Sequence, residues 1–131
     1  MTFREAIEKR VLVFDGAMGT QIQAFGLKAS DFGGQEGAND LLTLTRPDLV
    51  EAIHGRYLAA GCDVVETNTF GSSRLKLDEW GLGHRTYEVN FRAAILARRA
   101  ADRHASPDRP RFVAGSIGPT GMLPSSSDPA L

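Results

Sequence analysis

Val11-Leu12-Val13-Phe14-Asp15-Gly16-Ala17-Met18-Gly19-Thr20-Gln21 carries an apolar run straight into an aspartate and a turn bounded by glycines. A short continuous apolar run of this kind predicts a strand buried on both faces over 11–14, the habit of parallel sheets. Asp15 then stands where that strand leaves the core. Gly16 and Gly19 let the backbone turn tightly and come close to a ligand. In α/β folds the loops at the carboxyl ends of strands are where ligands bind. Cys62 to Phe70 (CDVVETNTF) and Arg111 to Pro119 (RFVAGSIGP) repeat the design and predict strands over 62–67 and 111–115.

The intervening segments read mostly as helices. Residues 2–9 predict a short amphipathic helix with Phe3, Ala6 and Ile7 on one face. Residues 21–40 hold Gly26, Gly33, Gly34 and Gly37 with little periodicity, which predicts a long loop with one helical turn around 20–25. Loops of that length inside a compact domain are more often functional than idle. A helix is predicted from Thr45 as its cap, with Asp48 as the capping-box acid and Pro47 in the first turn. Leu49, Ile53, Tyr57 and Leu58 make its buried stripe, and Gly61 ends it. A short helix over 72–80 is closed by Gly81-Leu82-Gly83. A longer one over 85–103 sets Val89, Ala93, Leu96 and Ala100 against Arg92, Arg98, Arg99 and Arg103, read as a solvated face. Residues 106–110 form a turn, and the last ten residues show no element.

Strands separated by helices imply parallel crossovers. Three strands cannot close a barrel, and an eight-fold barrel takes roughly 250 residues. The expected fold class is therefore α/β, built as part of a larger architecture.

Composition narrows the function classes. The 131 residues are 42% apolar, enough for a core, and the net charge of −1 offers no field for nucleic acid or an anionic membrane. No apolar run approaches the roughly 18 residues of a membrane span, and the first ten residues hold no signal-peptide core. One cysteine forms no internal disulfide, so a cytoplasmic location is expected.

Asp15 is the leading candidate for chemistry. A carboxylate at a strand's carboxyl end can hold a ligand ammonium group, while the plainer reading has it cap its own turn. Gly16 to Gly19 can present backbone N–H groups to an anion, although neither G-x-x-x-x-G-K-[ST] nor G-x-G-x-x-G occurs here. Glu66-Thr67-Asn68-Thr69 places four polar residues at the end of a buried strand, where each needs a partner. If Val65 faces the lumen, Thr67 and Thr69 do so too and Glu66 and Asn68 face the helices; the opposite parity is equally open. Cys62 reads as a small buried hydrophobe. His54, His84 and His104 share no metal-binding spacing with it, and no nucleophilic triad is apparent.

Taken together, FDGAMGTQIQ (14–23), NDLL (39–42), TRPDLVEAIH (45–54), GCDVVETNTFGS (61–72) and RPRFVAGSIGPTG (109–121) resemble the N-terminal homocysteine-binding domain of cobalamin-dependent methionine synthases. The likeness spans nearly the whole chain in order and spacing. Betaine- and S-methylmethionine-dependent homocysteine methyltransferases share the Asp-Gly start, but ETNTF and NDLL fit methionine synthase better. The resemblance implies a (β/α)8 TIM barrel of which this chain supplies the N-terminal part, about three βα units. It implies zinc-activated homocysteine attacking the methyl group of methylcobalamin, with cobalamin-carrying and folate-binding domains as partners. Asp15 would bind the homocysteine ammonium group and the backbone around Gly16, Ala17 and Met18 its carboxylate. Thr67, Thr69 and Ser116 would line the lumen beside it, together with Glu66 and Asn68.

The family's zinc ligands are cysteines on later strands, and Cys62 matches none of them. The chain by itself is therefore expected to bind neither zinc nor cobalamin, to carry no catalytic residue and to lack activity. Two other readings stand beside this one. One is a non-catalytic partial barrel that pairs in an oligomer and binds an amino acid or an anion; the other is a small open α/β domain binding an anion at Gly16–Gly19.

Overall fold

Thr2 begins the first helix. Its hydroxyl accepts from the Glu5 N–H, and the Glu5 carboxylate accepts from the Thr2 N–H, closing a capping box on α1 (Phe3–Ile7). The computed structural model describes residues 1–122, so the expectation of no element in the last ten residues lies, from Leu123 onward, outside the described residues.

The glycine-rich stretch is less irregular than its composition predicts. It holds α2 (Gly19–Gln23), where one helical turn is expected, and two 3-10 turns at Ala29–Phe32 and Asn39–Leu41. Gly33, at φ 63°, closes the first of these turns in a left-handed conformation that glycine adopts without strain. Two helices follow, α3 (Leu42–Thr45) and α4 (Pro47–Ala60). The predicted cap at Thr45 is not formed. Thr45 ends α3 and donates its hydroxyl to the Leu41 carbonyl, while Asp48 pairs with Arg46. Pro47 still opens α4 and Gly61, at φ 113°, still closes it.

The remaining elements fall close to their predicted places but are shorter at the strands: β1 (Val64–Glu66), α5 (Arg74–Asp78), α6 (Thr86–His104) and β2 (Phe112–Ala114). Strands β1 and β2 pair in parallel, Val64 with Phe112, Val65 with Val113 and Glu66 with Ala114. Phe14 joins the free side of β1 through a single parallel bridge to Val64.

The predicted strand over 11–14 is thereby corrected. It shrinks to that bridge, and its residues are not buried: Val11 is 85% exposed, Val13 56% and Phe14 45%. An apolar run becomes a doubly buried strand only when both faces are covered. Here α4 and α6 pack on β1 and β2, while 11–14 keeps only Leu12 half-buried and, among the described residues, gains no helical layer of this kind.

Helices α4 and α6 form the main helical layer. Leu49, Val50, Ile53 and Leu96 join Ile22, Phe32 and Leu42 in one apolar cluster. Leu58, Cys62 and Val65 join Ala97, Ala100 and Ala101 in a second, between β1 and the helices. Cys62 is a buried apolar filler there, as its sequence context predicts. The arginine face of α6 is solvated and paired, Arg98 with Asp102, Arg92 with Glu88, and Arg99 and Arg103 with Glu51 of α4.

At the amino-terminal end of β1, Asp63 accepts both guanidinium nitrogens of Arg10 at 2.8 and 2.9 Å and the Val13 N–H at 3.0 Å. This pair pins the first segment to the sheet. No helix of the described residues is long and apolar enough to cross a membrane.

Candidate functional site

Opposite Asp63, at the carboxyl ends of the strands, the chain folds round a cavity of about 500 Å³. Asp15, Gly16, Ala17, Met18, Glu66, Thr67, Asn68, Thr69 and Ser116 all line it. These are the site residues the sequence predicts, drawn from three segments far apart in the chain.

Asp15 is held by backbone on both sides. Its N–H donates to the Val64 carbonyl at 2.9 Å, and its Oδ2 accepts the Glu66 N–H at 3.1 Å. It therefore bridges to β1 and does not cap its own turn. Oδ1 is enclosed, with no hydrogen-bond partner among the described residues. Burial, with a lesser push from the Glu66 carboxylate, raises the Asp15 pKa to about 6. A carboxylate in this state gains most from a cation brought to its free oxygen.

The parity of β1 is settled by Val65. Its side chain packs against Leu58, Cys62 and the alanines of α6, so Val65 faces the helices and Glu66 faces away from them. Alternation lapses once β1 ends at Glu66, and Thr67, Asn68 and Thr69 all reach the cavity while staying buried. Thr67 and Thr69 share a hydrogen bond between hydroxyls at 2.6 Å. The Ser116 N–H donates to Thr67 Oγ1 at 3.1 Å, and the Ser116 carbonyl accepts from Thr69 Oγ1 at 2.8 Å. Ser116 is thus tied in through its backbone.

Gly19, whose turn the sequence singles out, also lines the cavity, and three lining residues had no site role in the sequence reading: Asn39, Asp40 and Phe70. Asn39 accepts from Asn68 Nδ2 through its carbonyl at 3.0 Å. Asp40 accepts the Ser72 hydroxyl, and burial raises its pKa against the hydrogen bonds from Ser72 and Gly71. The available signal was the polar pair in NDLL, which carried the resemblance without a role.

The cavity end supplies a carboxylate with a free oxygen and a run of turn amides. The N–H groups of Gly16, Ala17 and Met18 meet no acceptor among the described residues. No group of three or more His, Cys, Asp or Glu able to hold a metal ion occurs among the described residues. Cys62 sits at the far end of β1, and burial raises its thiol pKa. The described residues therefore do not fit zinc.

The profile of the homocysteine S-methyltransferase family matches residues 12–130. The chain belongs to the homocysteine S-methyltransferase family. Within it, the chain is 48% identical over 120 residues to the methionine synthase of Mycobacterium tuberculosis and 47% identical to that of Mycobacterium leprae. Each match covers 92% of this chain and 10% of the relative, so the chain spans about a tenth of the length of these methionine synthases. Among solved structures, the oxidized form of the homocysteine methyltransferase MmuM from Escherichia coli superposes with a TM-score of 0.74 at 25% identity. That match covers 90% of this chain and 41% of MmuM. The family resemblance drawn from the sequence motifs thus holds across the fold.

Proposed function

We propose that the chain supplies the amino-acid pocket of a methionine-synthase-type homocysteine methyltransferase, as the N-terminal part of its (β/α)8 barrel. The observation that carries this reading is the enclosed, unpartnered Oδ1 of Asp15 beside the free amides of Gly16 to Met18. An α-amino acid presents an ammonium group and a carboxylate side by side. Asp15 takes the first, the turn amides take the second, and Thr67, Thr69 and Ser116 shape the wall beside them. Glu66 adds negative charge toward the ammonium group, and Asn68 fastens the wall to Asn39.

The thiol of homocysteine then points out of this pocket. In the complete enzyme, a zinc ion held by residues other than those described would favour the thiolate form of that thiol, and a cobalamin-carrying domain, with a folate-binding domain beside it, would supply the methyl group. The ligands for zinc are not in this chain, which accordingly binds no stoichiometric zinc and has no methyltransferase activity alone. A soluble cytoplasmic setting suits this role.

A second reading, a partial-barrel binding module that works only when covered by another chain, is favoured by one surface. Phe91 and Ile95 of α6 and Val113 of β2 line an open apolar groove, beside an edge of β2 that no described strand pairs.

Calorimetric titration with L-homocysteine under reducing conditions tests the amino-acid pocket. The ligand ammonium stays charged across the range, so affinity should rise as Asp15 ionises through about pH 6. Asp15→Asn should weaken binding about 10- to 100-fold at neutral pH, the worth of a charged hydrogen bond. Unchanged affinity in Asp15→Asn would remove Asp15 from the site.

A further inference from the structure

Tyr57 lies on the buried stripe of α4 and packs into both main apolar clusters. Its hydroxyl leaves the core. It donates to the Ala17 carbonyl at 2.6 Å, across forty residues of sequence. The ring also closes the space beneath Gly16, where a Cβ would lie 3.3 Å from the phenol oxygen and 3.4 Å from the ring. A Cβ at 16 would press the phenol back by a few tenths of an ångström, so glycine leaves room for this approach, while the backbone angle there is an ordinary one.

The Ala17 carbonyl and the Met18 N–H belong to one planar trans peptide unit, in which C=O and N–H point in opposite directions. Holding the carbonyl on the phenol therefore aims the Met18 N–H away from α4. Met18 lines the cavity, and its N–H has no acceptor among the described residues. We infer that Tyr57 is a positioning residue for carboxylate recognition: it fixes the plane of the Ala17–Met18 peptide so that the Met18 N–H meets the carboxylate of an amino-acid ligand. The inference rests on the amino-acid pocket proposed above and adds a residue that touches no ligand.

Two ligands separate this role from a general loss of structure. L-Homocysteine carries both ammonium and carboxylate, whereas 3-aminopropane-1-thiol is the same molecule without the carboxylate. Tyr57→Phe keeps the ring in its place and removes only the donor. In NMR titrations of the 131-residue chain, Tyr57→Phe should weaken homocysteine about tenfold, the upper end of one hydrogen bond's worth. The aminothiol should change less than twofold. Without ligand, the Ala17 carbonyl carbon resonance should move upfield in the variant, reporting the lost hydrogen bond.

Equal weakening of both ligands, unchanged homocysteine affinity, or an unmoved Ala17 carbonyl resonance would each overturn the positioning role. Binding of neither ligand by the wild-type chain would overturn the amino-acid reading, and this inference with it.

Discussion

His54 on α4 is fully buried, and neither ring nitrogen has a hydrogen-bond partner among the described residues. Burial lowers its pKa to about 4 from an ordinary value of 6.5. The folded chain thus refuses a proton that the unfolded chain accepts. Stability from the neutral ring is complete above pH 6.5 and is lost as pH falls toward 4. Between pH 7 and pH 5 the loss from this group is about 2 kcal/mol, and about 3 kcal/mol by pH 4.

Asp15 works in the opposite sense. Its folded pKa, raised to about 6, makes the folded chain bind a proton before the unfolded one does. Stability is therefore gained as pH falls through 6, by about 1 kcal/mol between pH 7 and pH 5 after allowance for its partial exposure. Asp40, also raised by burial, acts with the same sign. The wild-type chain should consequently show a shallow pH profile in this window that hides two opposed slopes. His54→Leu, which keeps an apolar side chain of similar bulk in the site, should expose the Asp15 gain. Asp15→Asn should expose more of the His54 loss, offset only by Asp40.

The assay is urea unfolding followed by Trp80 fluorescence at pH 7, 6 and 5, with the slope against urea held constant as a check on the transition. The stability of wild type minus that of His54→Leu should become about 2 kcal/mol more negative from pH 7 to pH 5. A change under about 0.5 kcal/mol, or one of opposite sign, would refute the claim that a neutral, unpartnered His54 governs acid stability.

Three further outcomes follow. Asp63→Asn should cost about 2 kcal/mol by loosening the half-exposed Arg10 from a buried carboxylate, measured by urea unfolding at pH 7. Its wild-type contribution is present above about pH 4 and lost as pH falls toward 2, because Arg10 holds the carboxylate near that value, so the variant's penalty should shrink over that range. Gly118→Ala should displace the wall of the cavity, since a Cβ there runs into the Phe70 carbonyl oxygen, and homocysteine affinity should fall by more than thermal stability accounts for. Equilibrium dialysis with zinc at neutral pH should find less than one bound ion per chain, and tight one-to-one binding would overturn the assignment of zinc to residues outside this chain.

Much of the site was legible because its elements are local. Asp15 and the 66–69 run announce themselves as polar residues placed directly after an apolar run, the Gly16–Met18 turn by the glycine that follows Asp15, and strand ends converge by topology. The helices were equally legible, since Leu49 and Ile53, or Val89, Ala93 and Leu96, repeat at the helical period and are all buried. Thr45 does not cap α4 because the short α3 claims it as its last member and turns its hydroxyl back to the Leu41 carbonyl.

By itself, the sequence determined the two long helices α4 and α6 and their apolar stripes, the polar residues that follow the apolar runs, and the family to which the chain belongs. Only the tertiary structure decided the parity of β1, which depends on Val65 finding the alanines of α6 rather than on alternation within the strand. It alone reduced 11–14 to a single bridge, because burial of an apolar run is a property of its neighbours and not of its composition. It alone brought the Tyr57 hydroxyl to the Ala17 carbonyl and left Asp15 Oδ1 without a partner. Such contacts join residues tens of positions apart, and no local pattern encodes them; they arise when the helices and the sheet are packed together.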